Sequence, residues 1–464
     1  MNRIVAVCLF FAILISASGA VAADQNLYQT GCSSLRHNPD AVKDVINRGG
    51  KLEDYRFGSK INSQELYITQ LLDDEALRID LEVPPDHDLY GAEAGNTISY
   101  TILVCYPTRA GNPHQDYPVP GTEIVIPVMQ SGDTPFFISD EKPHPLILIS
   151  HGLLMDPLDK RIFELAGQGY IVAALFHGDG RFPFPTVLNL RRIEQFSLRP
   201  LALSATIDYL LDHPEFGPAI DQTRIGGVGV SIGGSAMLAL MGAKIIGPEF
   251  FTVRNTAIDH RLSAAAGIVP YMGRKGFWNS LFGWDNQGAA NVHFPYFAVS
   301  SGADTIADID LVESVLSAKP GAGYLVRLEN EEHWISDEAV DLSFAWISAF
   351  LETHLKGNPA YLDMLQAGIS LSGPVENMMV TARHISAYYS EAIFDLAEEL
   401  LPDLFYPVQP THEENSILYR YYPEERVFLA TYANELYLID DFGVYALGPV
   451  MYWWSRLKEL AGVD

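Results

Sequence analysis

Arg224-Ile225-Gly226-Gly227-Val228-Gly229-Val230-Ser231-Ile232-Gly233-Gly234 runs directly into Ser235-Ala236-Met237-Leu238-Ala239-Leu240-Met241. The first part is a short β-type run and the second is helix-like, so the stretch reads as strand, sharp turn and helix. One serine stands at the apex, in the pattern G-x-S-x-G. A serine forced onto so tight a turn has little room around it, which calls for glycine two residues before and two after. The turn lifts the hydroxyl above the sheet edge, and the helix N-terminus behind it favours developing negative charge. Ser231 is therefore a candidate nucleophile.

Working outward, the pattern from Pro145 onward alternates buried strands with helices, as a parallel sheet requires. Leu146-Ile147-Leu148-Ile149-Ser150 is a continuous apolar run ending in His151-Gly152. Arg161 to Gln168 reads as a helix stopped by Gly169, Tyr170 to Phe176 as the next strand, and Arg199 to Leu211 as the next helix. Arg224 to Val230, Leu262 to Val269, Tyr296 to Ser301 and Tyr324 to Leu328 read as further strands, and Ala339 to Leu355 as a closing amphipathic helix. Upstream, Pro39 to Arg48 suits a short helix, and Leu77 to Val83, Thr97 to Tyr106 and Glu123 to Met129 suit strands. Beyond residue 360 helix-like residues run to Leu400. Three short strands then follow at Arg426–Tyr432, Glu435–Ile439 and Val444–Leu447, and a short helix at Trp453–Leu457.

The expected fold is α/β, with a mostly parallel central sheet flanked by helices and a small C-terminal β-rich appendage. Its organisation is a signal peptide over residues 1–23, an α/β domain over 24–365 with N-terminal strands and loops over 24–144, a helical linker over 366–409, and a small β-meander domain over 410–464. The signal peptide is read from Arg3, the apolar run Ile4 to Ile15 and the small-x-small site Ala20-Val21-Ala22. That run is short for a membrane span, and no later one approaches such a length, so a secreted or periplasmic protein without integral membrane association is expected. Of 3 cysteines, Cys8 departs with the signal, leaving Cys32 and Cys105 as a pair that an oxidising compartment permits to bond. The 58 acidic against 30 basic side chains give a net charge of −28, which argues against nucleic acid, anionic lipid and polyanionic substrates.

A nucleophilic serine needs a base, an acid to orient that base, and donors for an oxyanion. Asp304, in Gly302-Ala303-Asp304-Thr305, follows the strand Tyr296 to Ser301. His333, in Glu331-Glu332-His333-Trp334, follows the strand Tyr324 to Leu328. Open α/β sheets place their chemistry outside the carboxyl ends of strands, and all three residues fall there. With 13 histidines in the chain, one near a strand end means little alone; its register with Ser231 and Asp304 singles out His333. The expected oxyanion donors are the amides of Ile232 and of Leu153, with Gly152 as the alternative to Leu153. His151 is read as shaping that loop, and His177 and His293 as structural or pocket-lining. Asp304, Asp308 and Asp310 lack the ligand density of a calcium loop and read as a solvated helix start.

The block Pro145 to His333 resembles the serine α/β-hydrolases grouped with platelet-activating-factor acetylhydrolases and predicted dienelactone hydrolases, with bacterial polyester hydrolases as more distant relatives. The matching stretches are Tyr106-Pro107, Pro145 to Gly152 ending in Ser-His-Gly, Gly169 to Ala174, Arg199-Pro200 opening a helix, the elbow, Ser301 to Asp304, and Glu332-His333. The family usually carries His where this chain has Val230, and true dienelactone hydrolases use cysteine where it has Ser231. The resemblance implies an α/β-hydrolase fold and a Ser231–His333–Asp304 triad. It implies a secreted hydrolase of carboxylic esters working through an acyl-enzyme, with a small-molecule or lipid ester as substrate and no cofactor or metal. Rival expectations are an amidase or serine peptidase with the same triad, and an inactive hydrolase-fold binding module. Segment 178–198, with Phe182-Pro183-Phe184-Pro185, is expected to form a lid or wall over the site.

Overall fold

The computed structural model describes residues 28–52, 71–130, 135, 137–138, 142–153, 155–179, 194–246, 253–273, 280–361 and 365, and strand backbones between 370 and 449. The expected signal peptide, residues 180–193 of the expected lid, and the helix Trp453–Leu457 lie outside the described residues.

Among the described residues, twelve strands join in one sheet. In chain order they are Gln29–Ser33 (β1), Arg78–Glu82 (β2), Thr97–Thr108 (β3), Met129–Gln130 (β4), His144–Ser150 (β5), Ile171–Phe176 (β6), Ile220–Val230 (β7), Leu262–Ile268 (β8), Tyr296–Ser301 (β9), Gly323–Leu328 (β10), Ser370–Ser372 (β11) and Met379–Ile385 (β12). Their spatial order is β11-β12-β10-β9-β8-β7-β5-β6-β3-β1-β4, with β2 also on β3. The strands from β10 to β6 run parallel. An antiparallel strand flanks each side of them, β12 on β10 and β3 on β6.

The longer helices among the described residues are Pro39–Asn47 (α1), Lys160–Gly167 (α2), Glu194–Asp212 (α3), Ile232–Leu240 (α4), Ile309–Ala318 (α5) and Asp337–His354 (α6). Side chains alternate across a strand, so one apolar run supplies two cores. Leu146 and Leu148 of β5 join Ile171, Ala173 and Leu175 of β6 beneath α3, α4 and α5. Ile147 and Ile149 join Val172, Ala174 and Phe176 beneath α2 and α6. Each large side chain so buried contributes about 1.5–3 kcal/mol, which is why β5 has no polar alternation.

This layering positions the site. From β5 the chain moves to β6 on one side, and α3 then carries it back over the sheet to β7 on the other. Connections that leave in opposite directions open a crevice between the carboxyl ends of β5 and β7. The loop after β5 and the turn after β7 both face that crevice.

Several boundaries differ from the expectations, each for a local reason. The helix expected to open at Arg199-Pro200 starts at Glu194, so Pro200 sits inside it; proline's preference for the first helical turn misplaces the start. The strand expected over Glu123 to Met129 is broken by Val128 at φ 40, leaving Val125–Ile126 paired with Tyr117–Pro118, and β4. In the segment 366–409, expected to be a helical linker, β11 and β12 are strands. Val380, Thr381 and Ile385 are β-branched, and β12 pairs along the edge of β10 from Leu328↔Val380 to Gly323↔Ile385. The C-terminal meander has five antiparallel strands where three were expected, the first being Val408–Thr411, which begins before residue 410. The unanticipated β1 pairs with β3 so that Cys32 lies opposite Cys105, and the two form a disulfide.

Candidate active site

Ser231 is the single residue between β7 and α4, and its backbone takes φ 51, ψ −116. A non-glycine residue there costs on the order of 1–3 kcal/mol, so the surroundings must over-determine it. The Ser231 N–H donates to the Ile268 carbonyl at 2.9 Å, and the Ser231 carbonyl accepts from the Gly234 N–H at 2.9 Å and the Tyr271 N–H at 3.0 Å. The flanking glycines are there for close approach. A Cβ on Gly229 would lie 2.2 Å from the Gly233 backbone, and one on Gly233 would lie 2.0 Å from the Ser150 carbonyl oxygen.

The structure brings the three separated residues together. Ser231 Oγ lies 3.1 Å from His333 Nε2, and His333 Nδ1 lies 2.7 Å from Asp304 Oδ2. A carboxylate only accepts, so Nδ1 carries the proton and Nε2 presents its lone pair to the serine hydroxyl. Asp304 is itself fixed: its Oδ1 accepts from the amides of Ile306 at 2.7 Å and Ala307 at 2.8 Å, and its side chain is fully shielded from solvent. Asp308 instead caps α5, accepting from the Asp310 N–H at 2.9 Å, so the helix-start reading of that cluster holds for Asp308 and Asp310 and not for the shielded Asp304.

The loops after β9 and β10 are stapled to each other. The Ala303 N–H and the Ser301 hydroxyl donate to the Glu331 carbonyl. The Glu331 carboxylate accepts from the Ser336 N–H at 2.8 Å and from its hydroxyl at 2.9 Å, while Ser336 also caps α6. Two residues of the Glu331–His333 segment thus serve one end: Glu331 anchors the loop that delivers His333.

On the other side of the serine, Ile232 opens α4 and Leu153 lies on the loop after β5. The amides of both donate to no described residue. A Cβ on Gly152 would lie 3.8 Å from Val230, so this loop runs beside the end of β7. Beneath it is a polar network that sequence reasoning missed. Arg199 and Asp179, only 2% and 1% exposed in their side chains, form an ion pair at 2.7 Å. Arg199 also donates to Ser150 Oγ at 3.3 Å, to the His151 carbonyl, and to the Gly152 carbonyl at 3.4 Å. His151 Nε2 accepts from the His177 N–H at 3.0 Å, so its Nδ1 carries the proton and donates to the Gly152 carbonyl at 2.7 Å. Burial, and after it the Arg199 charge, push the His151 imidazole down to about 4, which fits the neutral tautomer these bonds require. His177 is structural, as expected. Burial likewise pushes the half-buried His293 down to about 4.

Three exposed apolar side chains lie within two residues of His333, Asp304 and Leu153 in the chain. Trp334, 69% exposed, follows His333; Ile306 lies two residues past Asp304; and Met155 lies two past Leu153. Among the described residues no three His, Cys, Asp or Glu side chains gather as a metal ion would require, and no helix is long and apolar enough to cross a membrane. No protein-family model matches the chain, and none of the curated proteins is significantly similar to it.

Proposed function

We propose that the chain is an exported carboxylic-ester hydrolase of the serine α/β-hydrolase kind. One observation carries the reading: Ser231, His333 and Asp304 form a continuous chain at 3.1 and 2.7 Å, with the serine on a strained turn. His333 takes the hydroxyl proton as Ser231 Oγ bonds to the acyl carbon, and Asp304 stabilises the imidazolium. The Ile232 and Leu153 amides receive the oxyanion. Collapse breaks the acyl–oxygen bond, and the alcohol leaves with the proton from His333. Water, deprotonated by the same imidazole, then releases the acid and restores Ser231. The exposed apolar side chains of Met155, Ile306 and Trp334 support an ester whose acyl or alkyl part is apolar. The Cys32–Cys105 bond supports export to an oxidising compartment.

A fluorophosphonate probe is expected to label the protein at Ser231, and Ser231→Ala is expected to be neither labelled nor active on p-nitrophenyl esters. Labelling that survives the substitution refutes the assignment. Turnover of anilides in preference to the matching esters would make the enzyme an amidase instead.

A further inference from the structure

Three features of the buried network bear on the oxyanion donor of the loop after β5. First, the network is sealed: Ser150, His151, His177, Asp179 and Arg199 are each 3% exposed or less. Second, its bonds converge on the backbone just before Leu153. The Gly152 carbonyl accepts from His151 Nδ1 at 2.7 Å, from Arg199 Nη2 at 3.4 Å and from the Met155 N–H at 3.3 Å, and the preceding His151 carbonyl accepts from Arg199 Nη1. Third, the Gly152–Leu153 peptide is trans. In a planar trans peptide the C=O and the following N–H point in opposite directions. Holding the Gly152 oxygen down onto Arg199 therefore aims the Leu153 N–H up, away from the network and out of the loop. Withdrawing electron density through a carbonyl that accepts a charge-assisted bond also polarises the N–H of the same peptide, making it the stronger donor.

We propose that Arg199, held by Asp179, is a positioning residue that aims and polarises the Leu153 amide for the oxyanion. The role rests on the reading of Ser231 as an acyl-transfer nucleophile. Asp179 neutralises the guanidinium and fixes its plane, so that one face of the fork is left for the two carbonyls. His151 completes the clamp from the side, and it can do so only while neutral, since its Nε2 must accept from the His177 amide.

The role separates from plain structural support in what it moves. A donor that has lost its aim weakens the transition state more than the bound ester, so kcat falls while KM stays. The test compares Arg199→Met and Arg199→Lys with wild type in three measurements. These are kcat and KM on a p-nitrophenyl ester, affinity for an aryl trifluoromethyl ketone, and the pKa of that ketone's hemiketal with Ser231 by fluorine NMR. Arg199→Met is expected to lose about 10- to 100-fold in kcat, with the ketone weakened in parallel and the hemiketal pKa raised. KM is expected to stay within about twofold. Arg199→Lys, which keeps the charge without the fork, is expected to fall between the two and carries the test alone if Arg199→Met does not fold. A folded Arg199→Lys protein with wild-type kcat and ketone affinity overturns the inference, and so does a loss confined to KM. Wild type that turns over esters and is labelled at Ser231, beside unaffected variants, sinks this inference only; wild type that fluorophosphonate leaves unlabelled sinks the underlying reading with it.

Discussion

Replacing Asp304 by asparagine exchanges one oxygen for an NH₂ group and tests the orienting role directly. Asp304 uses both oxygens as acceptors: Oδ1 for the amides of Ile306 and Ala307, Oδ2 for His333 Nδ1–H. An asparagine has one acceptor oxygen for these demands. Two backbone N–H groups at 2.7 and 2.8 Å, one part-buried and one buried, outweigh one imidazole, because leaving a buried one unpaired alone costs about 1–3 kcal/mol. The oxygen therefore stays with the loop and the NH₂ turns to His333. Nδ1 must then accept, the proton moves to Nε2, and the nitrogen facing Ser231 at 3.1 Å becomes a donor that takes no proton from the serine.

The expected loss is about 10⁴ in kcat, equivalent to about 5.5 kcal/mol of barrier, with KM little changed. Hydrolysis of p-nitrophenyl butyrate near neutral pH, beside circular-dichroism melting to verify the fold, measures it. Asp308→Asn is the control: it changes the N-cap residue of α5, which stands outside the triad, and should leave kcat as it was. An Asp304→Asn enzyme within about tenfold of wild type would refute the tautomer argument, since a wrongly protonated imidazole has no route to that rate.

Two further predictions concern the elbow and three histidines of lowered pKa. Gly233→Ala places a Cβ 2.0 Å from the Ser150 oxygen, and is expected to cost about 1–3 kcal/mol or more in urea unfolding and to abolish ester turnover. Gly111→Ala, at φ +85 with nothing within 4 Å, should cost only about 1–2 kcal/mol and leave kcat intact; equal effects at the two sites would contradict the close-approach reading. Burial, the first cause in each case, holds His37, His151 and His293 at about 4 in the fold, against 6.5 when unfolded. Between those values the unfolded chain binds protons that the native state refuses. Stability is thus complete above 6.5 and falls as pH drops toward 4, by up to about 1.4 kcal/mol per pH unit for each histidine. An unfolding midpoint that stays level from neutral pH to the lower end of that window would rule this out.

What was legible in the sequence was whatever depended on local pattern. Ser231, Asp304 and His333 each follow closely on a strand-like stretch rich in apolar residues, and a run buried on both faces announces both the parallel strand and its carboxyl end. Arg199 was not legible. An arginine in a helix ordinarily faces solvent, and only the non-local arrival of Asp179 and the carbonyls after β5 makes burying it tolerable. The outer strands fail for a related reason. Gln29-Thr30-Gly31-Cys32-Ser33 has no alternation of its own, and it becomes a strand because β3 offers an edge to pair with. β12 likewise pairs on the edge of β10; its β-branched residues suit a strand, but the edge that receives it is not written in its own stretch.

The order of strands also explains why the base needs so much support. Sheet neighbours lie about 4.8 Å apart, so β10 stands roughly 14 Å from β7, with β8 and β9 between. His333 comes five residues after Leu328, the last residue of β10, and five residues span at most about 16–18 Å. The segment must reach back across two strands with little slack. A free loop so stretched would place an imidazole poorly. Here the reach is divided at its midpoint, where the Glu331 backbone hangs on Ala303 and Ser301 at the end of β9, and the Glu331 carboxylate holds the start of α6. The span left free is only the step from Glu331 to His333, and Asp304 meets the ring from the same β9 loop. The acid and the anchor of the base share one strand end, so a shift of that loop carries both together, and the 2.7 Å bond between them is kept by construction.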